Sequence, residues 1–164
     1  MDYYWHLLAF GGDGWGDDFA WGLLMTLQVS VLAYALSVVF GFLGAAGKLS
    51  RHRILRLAAE LYTTVVRSLP ELLVILLLYF SVASGAERLL KRLGLVAETF
   101  QFSSFWAAII ALAFVSGAIM TEVLRSAFLS VPPGQVEAAV SIGMRRSKIF
   151  TRIILPQMMR HAVP

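Results

Sequence analysis

Three long stretches of the chain consist almost entirely of apolar residues and carry no charge. The charge-free gaps cover the 29 residues between Asp18 and Lys48, the 23 residues 99–121 and the 15 residues 72–86. A helix needs about 20 predominantly apolar residues to cross the hydrocarbon of a bilayer. The first two stretches are long enough, and the third becomes so when it is extended backwards through 61–66 across two charged positions.

This pattern predicts an all-α, polytopic transmembrane protein with spans near 20–46, 61–83 and 104–128. Helices are the expected form because lipid offers no hydrogen-bond partner to stray backbone groups. Composition agrees, since 59% of the residues are hydrophobic and only 15% are charged. Soluble domains are typically about 45–50% apolar and about 25% charged. Disordered chains are poor in apolar residues, so the same figures exclude disorder.

Residues suited to catalysis or metal binding are few. The chain has no cysteine, which excludes a disulfide scaffold, a thiolate metal site and a cysteine nucleophile. Its three histidines, at 6, 52 and 161, show no metal-ligand spacing. There is no glycine-rich Gly-Lys-Ser/Thr phosphate loop and no recognisable nucleophile–histidine–acid arrangement. We therefore expect no catalytic residue, no metal and no cofactor bound by this chain, and no nucleic-acid partner despite the net charge of +4.

The placement of lysine and arginine predicts the orientation in the membrane. The loop after the first span and the tail after the third hold ten basic residues, and the loop between the second and third spans holds three. The N-terminal segment has four aspartates and no basic residue. Because basic residues concentrate on the cytoplasmic side of membrane proteins, the N-terminus is expected outside.

Small residues in the first span predict a packing face. Gly41, Gly44 and Gly47 recur at three-residue spacing. In lipid, small residues let helices approach closely, and packing drives their association.

The second and third spans contain charged residues that are candidates for a solute path. The candidates are Arg67, Pro70, Glu71, Gly117 and Glu122. Charge inside a membrane is costly and often marks such a path. Two interpretations stay open for Arg67 to Glu71: an interfacial arginine anchor before a helix-start proline, or a broken helix whose ends line the path. By spacing, Arg67 can pair with Glu71, and Glu122 with Arg125.

The segment 130–156 differs from the spans. Pro132 and Pro133 end the third helix, and a short helix from Gln135 is expected to end at Gly143. A second helix is expected over 144–155, before Pro156, with apolar residues at helical spacing and several basic ones. This pattern predicts a helix–turn–helix against the inner membrane surface, and composition alone also allows a simple amphipathic anchor.

This segment also resembles a known motif. Glu137-Ala138-Ala139, three residues, Gly143, nine residues and then Ile153-Ile154-Leu155-Pro156 match every fixed position of the cytoplasmic EAA motif of bacterial ATP-binding-cassette (ABC) importer permeases. The stretches 62–73, 130–135 and 155–164 resemble the polar amino-acid branch of that family, most closely the Q-type permease subunits of histidine, arginine and opine uptake systems.

The resemblance implies a type I ABC importer core of five spans, of which three are present here, so the chain resembles a permease shortened at its C-terminal end. It implies one partial permease domain over 1–164 with a cytoplasmic coupling helix–turn–helix. It also implies ATPase-coupling roles for five residues: Glu137, Ala138, Ala139, Gly143 and Pro156. The implied location is the bacterial inner membrane, multi-pass, with the N-terminus outside and the motif in the cytoplasm.

The implied function is that of a non-catalytic subunit of an ATP-driven importer for polar, especially basic, amino acids such as histidine, arginine, lysine and ornithine, or for opines. The implied partners are a dimer of ABC ATPase subunits that bind ATP and Mg²⁺, a second permease subunit (identical or paralogous), an extracytoplasmic amino-acid-binding protein and membrane lipid. The alternative is a truncated membrane protein without transport whose basic tail binds lipid or a partner. A secondary transporter should show internal repeats, and the sequence has no evident one.

Overall fold

The computed structural model describes residues 14–95 and 101–162, and within those ranges the regular structure is helical, as the sequence predicts. The acidic N-terminal residues 1–13 lie outside the described residues. In chain order the helices are α1 Gly16–Lys48, α2 Arg53–Ser68, α3 Glu71–Arg92, α4 Ser104–Leu129, α5 Pro133–Ser141, α6 Arg146–Ile149 and α7 Leu155–Ala162, with a π-helical turn at Phe150–Ile154 between the last two.

Three of these helices, α1, α3 and α4, are long and apolar enough to cross a membrane. With 33 and 26 residues, α1 and α4 contain the predicted spans 20–46 and 104–128 and extend beyond them. At 1.5 Å per residue they measure about 50 and about 39 Å, against about 30 Å of hydrocarbon.

The most extensive contact among the described helices is between α1 and α4, which run side by side in the same direction. At one end Gly22 and Met25 lie near Phe105 and Ala108. Further along, a Cβ built on Gly44 would stand 2.8 Å from Thr121 Cγ2, and one on Gly41 would stand 2.8 Å from Met120 Cβ. The backbones can come this close only because these positions lack side chains, which confirms the predicted small-residue packing face.

The predicted second span, 61–83, is not one helix. It is divided between the end of α2 and the start of α3 by an extended pair, Leu69 (φ −102°, ψ 153°) and Pro70 (φ −55°, ψ 126°). Proline cannot donate a hydrogen bond, and it forces the residue before it out of the helical region. The predicted span is therefore made of two helices that meet at this break. Residues 61–83 still run alongside α4, from Tyr62, whose ring meets Phe114 edge to face, to Tyr79 near Phe105.

The break between α2 and α3 lies beside the middle of α4. Val66 and Val74, on either side of it, belong to one buried cluster with Val115 and Ala118. Because α4 runs from 104 to 129, the break faces its central turns rather than either end. This position disfavours an interfacial anchor and favours a discontinuous helix within the bundle.

The helical turns after Gly143 continue past the predicted end at Pro156. The second helix, expected over 144–155, begins at Arg146, widens into the π-helical turn at Phe150–Ile154 and continues as α7 to Ala162. A proline inside a regular helix clashes with the carbonyl four residues earlier. The wider turn, in which Leu155 N–H bonds to Phe150 O, relieves that clash, so the chain stays helical.

Substituting Gly44 with valine should destabilise the bundle. The side chain would meet Thr121, which is held in place because its hydroxyl donates to Gly117 O at 2.8 Å. Overpacking of this kind costs about 1–3 kcal/mol. The melting temperature of the purified protein in detergent should fall by several degrees for Gly44→Val. Gly22→Val, where the added group meets nothing within 4 Å, is the matched control and should melt like the unsubstituted protein. Equal melting of the two variants would contradict the packing account.

Candidate functional site: a charged helix break and a coupling segment

The break between α2 and α3 forms one wall of a cavity of about 280 Å³. Its lining residues are Val66, Arg67, Leu69, Glu71, Val115 and Ile119. The last carbonyls of α2 and the first N–H groups of α3 converge here, and these groups have no partner within their own helices. The cavity therefore combines one cationic and one anionic side chain with a helix C-terminus and a helix N-terminus. Such a set can bind both the carboxylate and the ammonium group of an amino acid.

Arg67 and Glu71 both line this cavity but do not pair with each other. Arg67 instead places Nη1 3.9 Å from Glu122 Oε1, and no ion pair of Glu71 occurs among the described residues. The predicted pairing assumed a continuous helix, in which residues four apart share a face. The break at Leu69 and Pro70 removes that geometry.

Glu122 is the centre of a cluster of basic side chains from three helices. Lys48, the last residue of α1, donates to its Oε1, and Arg125, one turn further along α4, donates from Nε to Oε2 at 3.1 Å. Arg67 from α2 is the third cation. The predicted Glu122–Arg125 pair is confirmed. The Lys48 contact was missed because the two residues lie 74 positions apart. The sequence indicated only that Glu122 needs a cationic partner, because a carboxylate within a membrane span is costly without one.

Pro70 and Gly117, two further candidates for the solute path, lie in different surroundings. Pro70 is the N-cap residue of α3, between the lining residues Leu69 and Glu71. Gly117 is buried in a helix contact instead: a Cβ there would stand 2.6 Å from Phe40 Cβ and 3.0 Å from the Tyr62 hydroxyl. That hydroxyl donates to Phe114 O at 2.6 Å. Gly117 therefore allows α1, α2 and α4 to meet and does not line the cavity at the break.

The segment after α4 is built on a small apolar cluster at the end of the bundle that carries Lys48 and Leu129, called the basic end below. The cluster contains Ala127 of α4 and Val131, Ala139, Ile149, Ile154 and Met158 of the following turns. A hydrogen bond from the Gln157 amide to Gln135 also joins α7 to α5. The segment is therefore a packed unit attached to the last turn of α4.

Within α5, consecutive motif residues face opposite ways. Glu137 and Ala138 are exposed, whereas Ala139 is only 3% exposed and packs into the apolar cluster. Of the two alanines, Ala139 therefore lies inside the segment and not on its surface. Its small side chain permits close packing inside the segment, and Ala138 is the alanine that a partner could touch.

Gly143 ends α5 as its place in the sequence predicts. Its φ is +75°, a region that costs side-chain-bearing residues about 1–2 kcal/mol. Gly143 N–H bonds to Val140 O at 2.9 Å and Met144 N–H to Ala139 O at 3.1 Å, which is a Schellman motif. Pro156, the remaining motif residue, is exposed in the first turn of α7.

A groove of about 430 Å³ lies beside Glu137. Its walls are apolar and come from both α4 and the segment, with Glu137 as its one charged residue: the lining residues are Phe128, Leu129, Val131, Pro133, Val136, Glu137 and Ile154. An exposed apolar groove with one carboxylate is typical of a surface that receives a partner protein. Among the described residues no group of three histidine, aspartate or glutamate side chains could hold a metal ion.

Comparison with known proteins identifies the chain. Residues 37–164 match the family described as the binding-protein-dependent transport system inner membrane component. The chain belongs to this family. The matched range includes the helix break, the Glu122 cluster and the whole segment after α4, so these features belong to the family's domain. This confirms the family that the motif residues indicate.

Individual permeases of the family resemble this chain over most of its length. The nopaline transport system permease protein NocQ of Agrobacterium fabrum is 42% identical over 158 residues, which are 96% of this chain and 67% of that protein. The histidine/lysine/arginine/ornithine transport system permease protein HisQ of Escherichia coli is 38% identical over 143 residues, which are 87% of this chain and 62% of that protein.

A crystal structure of an amino acid ABC transporter with histidines superimposes on this permease-family chain with a TM-score of 0.65 at 32% identity. The match covers 89% of this chain and 62% of the transporter chain. The sequence therefore spans about two thirds of the length of the permeases it matches.

Neutralising Glu122 should destabilise this permease domain more than removing any one of its cations. Glu122→Gln leaves Lys48, Arg67 and Arg125 without their shared anion, and an unpaired charge in a partly buried site is costly. Glu122→Gln should lower the melting temperature in detergent by several degrees. Adding Lys48→Gln to it should recover part of the loss, because one unpaired cation is then gone.

The control for this experiment is Glu60→Gln, at an exposed carboxylate without an ion pair among the described residues. It should leave the melting temperature unchanged. If Glu122→Gln also left it unchanged, or if the two substitutions at 122 and 48 were simply additive, the shared-anion account would be wrong.

Proposed function

We propose that this chain is the membrane-spanning subunit of an ATP-driven importer of polar, especially basic, amino acids or opines. In this proposal the protein lies in a bacterial inner membrane with its N-terminus outside and the basic end of the bundle in the cytoplasm. The positive-inside distribution supports this orientation. The parallel course of α1 and α4 supports three crossings, since one crossing, made by α2 and α3 together, separates them.

The observation that carries the proposal is the shape of the segment after α4. It is a compact unit on the end of a spanning helix, with Glu137 and Ala138 exposed beside an apolar groove. A separate ATPase subunit could bind this surface and move α4 through it. ATP-driven closure of two ATPase subunits would then rock the helices between inward-open and outward-open states. The chain itself would have no catalytic role.

The partners in this proposal are two ATPase subunits that bind ATP and Mg²⁺, a second permease subunit and an extracytoplasmic solute-binding protein. The family description supports the last of these, because it names binding-protein-dependent transport systems. The large exposed apolar residues of α3, such as Leu72, Leu76 and Phe80, leave room for lipid and for further helices to pack on this face.

The solute would pass through the cavity at the helix break. Arg67 and the first turn of α3 could hold the carboxylate of an amino acid, and Glu71 could hold an ammonium or guanidinium group. Pro70 keeps the two helix ends apart. The similarity to permeases of nopaline and of histidine, lysine, arginine and ornithine supports a basic or opine solute.

Substitutions in the exposed motif should uncouple transport. In the gene at its native length, expressed with its partner subunits, Glu137→Lys should reduce uptake of radiolabelled amino acid at least tenfold and weaken co-purification of the ATPase. Gly143→Asp should do the same, because a side chain at φ +75° distorts the end of α5. Lys148→Glu, an equally exposed charge reversal in α6, is the control and should keep most of the activity.

If uptake and ATPase association survived both substitutions, the coupling role would be refuted. Loss of uptake with undiminished ATPase association would also refute the docking role of Glu137, since the proposal places that residue at the ATPase surface.

Removing the charge of Glu71 should change solute preference. Glu71→Gln should lower uptake of arginine or an opine several-fold at low solute concentration and affect a neutral amino acid less, because only the cationic group loses its partner. Glu71→Asp, which keeps the charge, should retain more activity. Competition between radiolabelled solutes in the same cells measures the preference, and an unchanged preference in Glu71→Gln would exclude this residue from the solute site.

A further inference from the structure

Helix α2 has two exposed faces of opposite character. One, called the polar stripe, recurs at spacings of three and four and is exposed throughout; its residues are Arg53, Arg56, Glu60, Thr64 and Arg67. The neighbouring face, called the apolar stripe, consists of Ile54, Leu57, Leu61 and Val65, which are 82%, 67%, 62% and 48% exposed. The third face, with Thr63 and Val66 buried, packs against the bundle.

The polar stripe continues from the basic end into the bundle. Ala59, next to Glu60, lies opposite the end of α1, since a Cβ on Gly47 would stand 3.1 Å from Ala59 Cβ. One turn further, Tyr62 contacts Phe114 near the middle of α4. Thr64 and Arg67 follow at that depth and beyond. Arg53 and Arg56 are therefore near the surface, whereas Thr64 and Arg67 are well inside the span.

Two stripes at the same depth but of opposite polarity need different surroundings. Lipid or another apolar helix suits the apolar stripe. A charged side chain in the centre of a span costs about 2.5–3.5 kcal/mol or more, and such residues almost always face the interior of a helix bundle or a water-filled cavity. Among the described residues, Arg53, Arg56 and Glu60 form no ion pair. Water at the basic end can solvate Arg53 and Arg56, and the exposed Thr64 and Arg67 continue this polar face into the span.

The stripe also leads to the cavity at the helix break. Arg67 is the last member of the stripe and at the same time a lining residue of that cavity. It reaches Glu122 as well, at 3.9 Å, which fixes its head group on the basic-end side of the break. The cavity and the stripe are therefore joined through one side chain.

We infer that the polar stripe of α2 lines a water-filled groove through which the solute leaves the cavity at the helix break for the cytoplasm. The inference rests on the proposed function and adds to it the residues of the inner half of the route. Three guanidinium groups against one carboxylate make the groove favour solutes that carry a free carboxylate, as amino acids and opines do. The apolar stripe beside it faces lipid or a neighbouring helix.

The 164 residues contain no cysteine, so a cysteine-free parent needs substitutions only at any cysteines outside them, and a direct test is possible. Single cysteines are placed at neighbouring positions of equal depth, Thr64→Cys against Val65→Cys and Glu60→Cys against Leu61→Cys. The native-length permease, assembled with its partner subunits in inside-out membrane vesicles, is treated with a charged, membrane-impermeant thiol reagent. Labelling of this chain is read from its shift on a gel.

The expected result is labelling at least tenfold faster at 64 than at 65, and at 60 than at 61. Solute uptake by labelled Thr64→Cys protein, reconstituted in liposomes with the ATPase, should also be at least fivefold lower than that of the unlabelled protein. The reason is that the adduct obstructs the groove. Equal labelling within both pairs would overturn the inference. Fast labelling of Thr64→Cys with undiminished uptake would overturn it too, since the groove would then not carry solute.

These outcomes are separable from those of the proposed function. Labelling reports water access alone and needs no transport, so it can fail in a permease that still imports amino acids. Uptake by the unlabelled, cysteine-free parent and its loss in Glu137→Lys test the importer role independently. If the importer worked while Thr64→Cys and Val65→Cys were labelled equally, the proposed function would stand and the water-filled groove would be refuted.

Discussion

The contact between α1 and α4 is closer than a side chain at positions 41 and 44 would permit, and the other helices are arranged around it. It holds two helices parallel and in one register, which places Lys48 at the end of α1 within reach of Glu122. It also presents Phe40 and Phe114 as a wall for Tyr62, so that α2 packs at a defined height. In lipid this association depends on packing, because apolar side chains gain little by leaving hydrocarbon.

The helix break depends on that wall. An interruption exposes carbonyl and N–H groups that hydrocarbon cannot satisfy, so it is tolerated only where protein or water surrounds it. Here Val66 and Val74 anchor both sides of the break on Val115 and Ala118. Arg67, tied to Glu122, directs a charge towards the basic end. The same residues thus stabilise the interruption and make it chemically distinctive.

The sequence predicts the elements that depend on local pattern. Charge-free gaps indicate α1 and α4, and the double proline and Gly143 indicate the limits of α5. What depends on distant parts of the chain is not readable in this way: the partner of Glu122 is 74 residues away, and the inward orientation of Ala139 depends on where Ile149 and Ile154 pack. Even local pattern does not decide every case: Pro70 interrupts the helix, whereas Pro156 lies within one.

The π-helical turn at Phe150–Ile154 adds one residue to a helical turn. The extra residue determines which side chains of α7 face the bundle. Ile149, Ile154 and Met158 enter the same apolar cluster at spacings of five and four, which a regular helix could not achieve. Shortening the turn by a residue would rotate α7 by about 100° and swing Met158 out towards solvent. The widened turn therefore rotates the proline-containing helix so that its apolar residues face the cluster at the end of α4.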